Sequence, residues 1–245
     1  MPTADWPARN APAAPAEGLR ERKKRLMRQQ LSDTATRMFL ERGFDDVRVA
    51  QVAEACGVSE KTVFNYFPTK EALILDRLDT TVASLRTGLS EPGVPPVEAA
   101  LRILDRELSG MTTWLAGQDD PAKAARGMRR FGDLIRATPS LRAYQSDMMD
   151  QFVGVAAEIL AARAGMSSDD PEPQVAARSL LGLWRVQAES LRKHLGTPPA
   201  RLHALVTADV RRAAQLVETG LGSWAIVTRE RGPRARPGVP PSTHG

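Results

Sequence analysis

The order of apolar and polar positions along this chain predicts helices almost everywhere between its two ends. In the first periodic stretch, from Met27 to Phe39, apolar side chains recur at steps of three and four residues, as on one face of an α-helix. No stretch shows convincing apolar–polar alternation bounded by turn residues, the pattern of a strand. We therefore expect an all-α fold.

Helix-ending residues divide this pattern into about nine helices. Three short or medium helices are predicted at the start, over 19–42, 49–55 and 60–66. Gly43 and Gly57 end the first two of them, as glycine often does. A longer helix is expected from Thr69 to about Leu89. Breaks that pair Gly or Asp with Pro then bound five more helices, over 97–116, 120–137, 139–164, 172–195 and 199–222.

This pattern gives the chain four regions. Residues 1–17 and 225–245 are rich in Pro with Ala or Gly, have little to bury, and are predicted to be a disordered arm and a disordered basic tail. Between them we expect a small helical unit over 18–70 and a larger helical domain over 71–224. With 245 residues, both can bury a core.

Composition favours an intracellular globular protein. Apolar residues make up 42% and charged residues 26% of the chain, which are ordinary values for a soluble protein. No run approaches the roughly 20 apolar residues of a membrane span, and the first residues lack the apolar core of a secretory signal. We expect a cytoplasmic protein without membrane contact. The net charge of +5 suits a polyanionic partner but is weak evidence alone.

The sequence offers no candidate for catalysis or metal binding. The single cysteine, Cys56, leaves no intramolecular disulfide and no cysteine-based zinc site, and is interpreted as a small buried residue. His194, His203 and His244 do not have the spacing of a helix-borne zinc motif, and no nucleophile elbow or phosphate-binding glycine loop is present. We expect neither an enzyme, a metal nor a cofactor.

The informative segment is 43–73, which reads GFDDVRVAQVAEACGVSEKTVFNYFPTKEAL. Two short helices joined by a glycine-containing turn are the geometry of a helix-turn-helix, whose second helix enters the major groove. Ala53 is small where the helices approach, Gly57 permits the turn, and Ser59 is a candidate N-cap for the second helix.

The second helix has two predicted sides. Val63, Phe64 and Phe67 are expected to face the core. The outward set mixes donors, acceptors and an aromatic ring, as a surface that reads DNA requires, and consists of Glu60, Lys61, Thr62, Asn65 and Tyr66.

Four elements of this segment resemble the DNA-binding domain of TetR-type transcriptional regulators (the TetR/AcrR family). They are Gly43-Phe44, the run from Val52 to Ser59, the block from Thr62 to Phe67, and the closing Lys70-Glu71-Ala72-Leu73, all at the spacing of that family. The resemblance covers about thirty residues, and the position near the N-terminus and the helical remainder agree with it.

The resemblance implies which side chains meet DNA, namely Ser59, Lys61, Thr62, Asn65 and Tyr66, with Lys70 on a phosphate. Asn65 is our candidate for a base contact because an amide can bond an adenine edge at two points. Arg48 departs from the family, which usually has Ser or Thr there as a cap. Arg48 is therefore expected to contact phosphate as a charge, while Asp45 or Asp46 caps the helix.

A basic cluster at the start of the first helix is expected to add phosphate or minor-groove contacts, which raise affinity rather than specificity. It contains Arg20, Arg22, Lys23, Lys24, Arg25 and Arg28. A solvated helix end is the alternative interpretation.

In the resembling family, the larger domain binds a small, often apolar ligand and dimerises through its last two helices. The candidate ligand-facing residues here are Trp114, Met128, Phe131, Leu134, Met148, Met149, Phe152, Leu180 and Trp184, with Gln187 or Arg130 as polar anchors. The candidate dimer stripe is Leu180, Leu183, Val186, Leu191, Leu202, Leu205, Val206, Val210 and Leu216. Both sets suit a plain core equally well.

These observations lead to one main hypothesis and two alternatives. The main one is a homodimeric, sequence-specific DNA-binding regulator, a repressor released by an unidentified small apolar effector, acting on a palindromic operator. The alternatives are a non-specific architectural DNA-binding protein and a helical interaction module without DNA specificity.

Overall fold

The structure, a computed structural model, describes residues 18–75 and 78–230, with side chains for all of them except 78–79 and 221–230. The predicted arm 1–17 and the last part of the predicted tail, 231–245, lie outside this description. The described residues form nine α-helices and one 3-10 turn and contain no strand. The α-helices are α1 (Leu19–Arg42), α2 (Val49–Ala55), α3 (Glu60–Tyr66), α4 (Leu78–Leu89), α5 (Pro96–Ala116), α6 (Pro121–Ala137), α7 (Pro139–Ala164), α8 (Pro171–His194) and α9 (Pro199–Glu230).

The first three helices enclose a small apolar core. Leu31, Ala35 and Phe39 follow one another at four-residue steps on α1 and are fully buried. Val52 of α2 and Val63 of α3 close this core from the other side, and neither exposes any surface. The predicted bounds of these three helices are confirmed.

The prediction of one long helix from Thr69 to Leu89 is wrong. A 3-10 turn over Glu71–Leu73 comes first, and α4 begins only at Leu78. The four consecutive side chains 72–75 are all buried, which a regular α-helix at 100° per residue cannot achieve against one surface. The Leu73 carbonyl accepts a hydrogen bond from the Ser32 hydroxyl of α1 at 2.5 Å.

The remaining helices form a larger bundle. Helix α8 packs against α9 and α7, α5 packs against α9, and α4 packs against both α5 and α7. Gly88 allows α4 and α5 to meet closely, since a Cβ there would lie 2.7 Å from Ile103 Cδ1. Arg163 of α7 donates to the carbonyls of Leu89 (2.7 Å) and Val94 (2.6 Å) and so ties the α4–α5 connection to the bundle.

Helix α9 is longer than predicted. It continues to Glu230, eight residues beyond the expected end at 222, and takes in the start of the region 225–245 that was predicted to be disordered. No proline occurs between Pro199 and Pro233, so nothing in the sequence forces an earlier end. No helix in the described ranges is long and apolar enough to cross a bilayer.

The small unit and the bundle touch through a side chain that was predicted to hold ligand. The guanidinium of Arg130 on α6 donates to the Leu40 carbonyl near the end of α1 at 2.9 Å. Arg130 is therefore a contact between the two parts of the molecule rather than a polar anchor in a cavity.

Candidate nucleic-acid interface

The turn between α2 and α3 depends on one glycine. Gly57 has φ +68°, a left-handed conformation that other residues adopt only at a cost. The next residue, Val58, donates its N–H to the Ala53 carbonyl at 3.0 Å, which closes the turn. Ala53 is 2% exposed, so its small side chain lies where the sequence predicted close packing.

Ser59 begins α3 as predicted. Its hydroxyl accepts from the backbone N–H of Thr62 at 3.1 Å, and the two hydroxyls lie 2.8 Å apart. This contact satisfies one of the N–H groups that a helix start leaves without a partner. Ser59 and Thr62 therefore hold each other at the end of the helix that is expected to approach DNA.

The underside of α3 is fixed by buried apolar residues. Val63 and Phe67 expose no surface. The guanidinium of Arg28 on α1 lies 4.8 Å from the centre of the Phe67 ring and donates to the Tyr66 carbonyl at 2.9 Å. One arginine thus supplies both a cation–π contact and a hydrogen bond at the C-terminal end of α3.

The opposite side of α3 is open. Lys61 and Asn65 are exposed, as predicted, while Thr62 and Tyr66 are half-buried. The prediction that Phe64 faces the core is wrong, because its side chain is 45% exposed. With Val63 at the centre of the buried face, the next residue lies about 100° around the helix and falls on the flank.

Arg48 precedes α2 with its side chain exposed, in a position open to a phosphate. The expectation that Asp45 or Asp46 caps this helix is not supported, because the cap contact belongs to Gln51. Its Oε1 accepts from the Arg48 backbone N–H at 2.9 Å.

Lys70 points into the protein rather than out to a phosphate. Its ammonium donates to the Phe44 carbonyl at 2.6 Å and lies 4.3 Å from the centre of the Phe44 ring. Desolvation lowers the pKa of Lys70, partly offset by the carboxylates of Asp45, Glu71 and Asp46, which raise it. The 3-10 turn Glu71–Leu73 starts directly after Lys70 in place of the predicted long helix, and Lys70 joins this turn to Phe44.

The basic start of α1 projects beyond this core. Leu31 is the first fully buried residue of the helix, twelve positions after its start at Leu19. Lys23 and Lys24 on this projection are exposed, and Arg25 is half-buried. The start of α1 therefore carries a positively charged surface on the same small unit as α3.

The predicted ligand-facing residues divide into two groups. The first group is core with at most 8% exposure and contains Met128, Met148, Phe152 and Leu180. The second is partly buried and packs against that core, and contains Trp114, Phe131, Leu134, Met149 and Trp184. A groove at Arg86, Glu158 and Arg163 is lined by neither group.

A groove of about 340 Å³ lies instead between α5, α8 and α9. Gln187, the predicted polar anchor, lines it and donates to the Leu104 carbonyl at 2.9 Å. Thr207 also lines it, and its hydroxyl is a buried oxygen with no hydrogen-bond partner among the described residues. The sequence analysis missed Thr207, although a hydroxyl next to buried Val206 on the face that also carries Val210 was a usable signal.

Most of the predicted dimer stripe is core of the same chain. Five of its members expose 4% of their surface or less, namely Leu180, Leu183, Leu202, Val206 and Val210. Leu216 is 79% exposed and Val175, which was not predicted, is 59% exposed. Up to residue 220, the apolar surface that α8 and α9 leave open is therefore smaller than the sequence indicated.

Two family models match the chain in separate regions. The model of bacterial regulatory proteins of the tetR family matches residues 31–76, which include α2 and α3. The model of the MftR C-terminal domain matches residues 115–221.

Full-length relatives agree with these matches. The transcriptional regulator TcmR of Streptomyces glaucescens is 32% identical over 172 residues, which are 66% of this chain and 70% of that protein. The proposed mycofactocin biosynthesis regulator MftR of Mycobacterium tuberculosis is 27% identical over 169 residues, 69% of this chain and 81% of that protein. Among solved structures, GusR of Salmonella enterica aligns with 80% of this chain and 96% of its own, at 18% identity and a TM-score of 0.47.

Proposed function

Because this chain belongs to the tetR family of bacterial regulatory proteins and is a DNA-binding transcriptional regulator rather than an enzyme, we propose that it is an effector-responsive homodimeric repressor of a palindromic operator. The observation that carries the DNA-binding part is the two-sided α3. Its underside is immobilised by Val63 and Phe67, while Lys61 and Asn65 face outward. A helix fixed in this way keeps the same side chains turned toward a groove.

Each side chain at the interface has a defined part in this proposal. Asn65 reads an adenine edge, Lys61 and Tyr66 contact the backbone or a base, and the Ser59–Thr62 pair approaches a phosphate at the helix start. Arg48, Lys23 and Lys24 add phosphate contacts that carry no sequence information. Lys70 is left out of this set because its ammonium is occupied by Phe44.

Selection of bound duplexes from a random pool at moderate salt tests the proposal. We expect a discrete palindrome whose half-sites lie about one DNA turn or more apart. Asn65→Ala is expected to weaken binding to the selected duplex and to remove the base preference at one of its positions. Glu41→Ala, a change at an exposed residue of α1, should leave the affinity and the base preference unchanged. Equal binding to all duplexes with a steep salt dependence would instead indicate an architectural protein.

The dimer is proposed to form through the open faces of α8 and α9. Among the side chains of these helices that the structure describes, Val175 and Leu216 are the large apolar ones that are exposed. Val175→Glu with Leu216→Glu is expected to give monomers in light scattering after size exclusion. Leu26→Glu, at an exposed leucine of α1, serves as the control and leaves the dimer intact.

The effector is proposed to bind in the α5–α8–α9 groove, next to Gln187 and Thr207. Leu104 and Leu108 give this groove an apolar wall, and the Thr207 hydroxyl offers a buried polar group. Charged side chains also line this groove, namely Glu98, Arg102, Asp105, Arg211 and Glu218, so a molecule with an apolar body and polar or charged groups suits this surface.

A thermal-shift screen of the full chain with small apolar alcohols, ketones and carboxylic acids tests the groove. A compound that binds the folded protein raises its melting temperature. An effector must also lower the affinity of the protein for the selected duplex, which requires that it bind the DNA-free state more tightly than the DNA-bound state. Thr207→Val is expected to weaken this response, whereas Thr113→Val on the exposed side of α5 is not.

A further inference from the structure

Phe64 is the exposed aromatic side chain of the face that is proposed to enter DNA. Within the described part of the chain, the large apolar residues that are exposed are Leu19, Leu26, Phe64, Val175 and Leu216. Single exposed apolar residues are common in proteins and need no explanation by themselves. The place of Phe64 on α3 is what makes it informative, since its neighbours there are charged or polar.

The helical spacing places Phe64 beside the groove-facing residues. Taking Val63 as the buried direction, Asn65 lies about 200° and Lys61 about 160° away on the helix, so both point outward. Phe64 lies about 100° away, on the flank next to Lys61. Thr62 occupies the opposite flank. The outward surface of α3 thus has one apolar edge and one hydroxyl edge.

The backbone that carries the Phe64 ring is fixed by its buried neighbours. Val63 and Phe67, which precede and follow it on the buried side, expose no surface. The end of α3 is further held by the Arg28 contact with the Tyr66 carbonyl. The attachment points of Phe64 and Asn65 on α3 therefore keep a constant spacing and direction.

The chemistry of this side chain limits what it can contact on a duplex. A phenyl ring has no hydrogen-bonding group, so it neither bonds a phosphate nor reads a base edge by donor and acceptor. The apolar group that the major groove displays is the C5 methyl of thymine, and an apolar side chain distinguishes it from the other base edges.

On these grounds, and resting on the proposed DNA-binding function, we propose that Phe64 is a specificity-determining residue that recognises the C5 methyl of a thymine in each half-site. The thymine lies close to the base that Asn65 contacts, because the two side chains are neighbours on the helix. The contact adds sequence preference without any hydrogen bond.

Replacing thymine by deoxyuridine tests this inference, since the substitution removes the methyl alone. The probe is the duplex selected by the full-length protein, with each thymine of one half-site replaced in turn. Burial of one methyl group predicts about a fourfold loss of affinity at a single thymine, and about fifteenfold when both half-sites are replaced.

Variants of Phe64 link that loss to the ring. In Phe64→Ala, the selected duplex and its deoxyuridine counterpart should bind equally, whereas Phe64→Met, which keeps an apolar side chain, should retain a preference for thymine. Because Phe64 is exposed, neither variant should lower the melting temperature, which serves as the check on folding.

Two failures are distinguishable. If the selection enriches no sequence, the DNA-binding proposal and this inference both fall. If a sequence is enriched but no deoxyuridine lowers the affinity, or if the loss persists unchanged in Phe64→Ala, only the role of Phe64 is overturned.

Discussion

The α2–α3 pair and the α8–α9 pair are both neighbouring helices joined by a short connection, yet they are held together in different ways. Helices α2 and α3 have seven residues each, which is too short for a helix to be stable by itself. They depend on a cap, a glycine turn and the aromatic core supplied by α1. Helices α8 and α9 have 24 and 32 residues and share a long apolar contact.

Polar contacts in the two pairs differ as well. At the C-terminal end of α8, Asp209 of α9 accepts from Ser190 at 2.7 Å, lies 3.3 Å from His194 Nε2, and pairs with Arg212. These contacts join two helices that already pack through leucines. On α3, the outward polar side chains Lys61 and Asn65 remain exposed to solvent. The comparison teaches that the polar side chains at the centre of the outer face of α3 make no contact between helices, whereas Asp209 of the long pair is used to join α8 to α9.

The largest effect on stability is expected when a buried side chain that fixes α3 is removed. Phe67→Ala is expected to cost about 3–5 kcal/mol, since it deletes a fully buried aromatic ring that Arg28 covers. Hydrogen exchange should show lost protection in α2 and α3 while α8 and α9 remain protected. Leu180→Ala, at a fully buried position of α8, should give the opposite distribution. Equal loss in both regions would show that the two parts unfold as one unit.

The glycine turn gives the next largest effect. Gly57→Ala is expected to destabilise the small unit by about 1–2 kcal/mol because its φ of +68° is unfavourable for any residue with a Cβ. No atom lies within 4 Å of the added methyl, so the cost comes from the backbone alone. Gly110→Ala in α5, also with open space, should raise the free energy of unfolding by about 0.5–1 kcal/mol. Chemical denaturation measures both, and the same sign for the two would contradict this account.

The cap of α3 sharpens the comparison further. Ser59→Ala is expected to lower stability by about 1 kcal/mol, because the Thr62 N–H loses its acceptor. Ser59→Asp keeps a hydrogen-bond acceptor and should retain most of the stability that Ser59→Ala loses. Chemical denaturation in the absence of DNA measures both variants. A stable Ser59→Ala protein would mean that tertiary packing alone holds the helix start.

The smallest effect concerns Asp209 and depends on pH. Its pKa is lowered chiefly because the Ser190 hydroxyl donates to the carboxylate, with further lowering by Arg212 and His194. Such a group stabilises the fold above its unfolded pKa, and the contribution disappears as the pH falls through the folded value. Asp209→Asn should therefore cost about 0.5–1 kcal/mol at pH 7, at the low end for a solvent-contacting hydrogen bond.

The difference between Asp209→Asn and the unchanged protein should shrink below about pH 4, where carboxylates protonate. Asp133→Asn provides the matched control, since Asp133 pairs with Arg136 in an exposed position on α6. Thermal melts from pH 3 to 8 should show no comparable difference for it. A stability difference between Asp209→Asn and the unchanged protein that grows as the pH falls would contradict this interpretation.

The features that the sequence predicted correctly are those set by near neighbours. Gly57, Ser59 and Val63 act through a turn, a cap and a helical spacing that span four residues or fewer, and the structure confirms all three. Phe64 was wrongly predicted to face the core, because its apolar side chain was considered without its angular position around α3 relative to Val63. The contact between Lys70 and Phe44 joins residues 26 apart in sequence, which no local pattern reveals.

The larger domain was harder to predict for a different reason. Apolar residue type indicates burial, but it does not indicate whether buried side chains surround an empty space. Met128, Met148 and Phe152 were chosen as ligand contacts by type, and the structure places them in the core. Of the predicted set, Gln187 lines a groove between α5, α8 and α9. The sequence could not predict this groove, because its shape depends on how three separate helices pack.

The one thiol of the chain lies on the turn that leads into the proposed reading helix. Cys56 is half-buried at the end of α2, three residues before Ser59, with its sulfur 3.9 Å from the Gln30 carbonyl. A maleimide dye would therefore attach to a single known position without any engineered cysteine. Its emission would report duplex binding in real time and would separate association rates from dissociation rates for every variant named above.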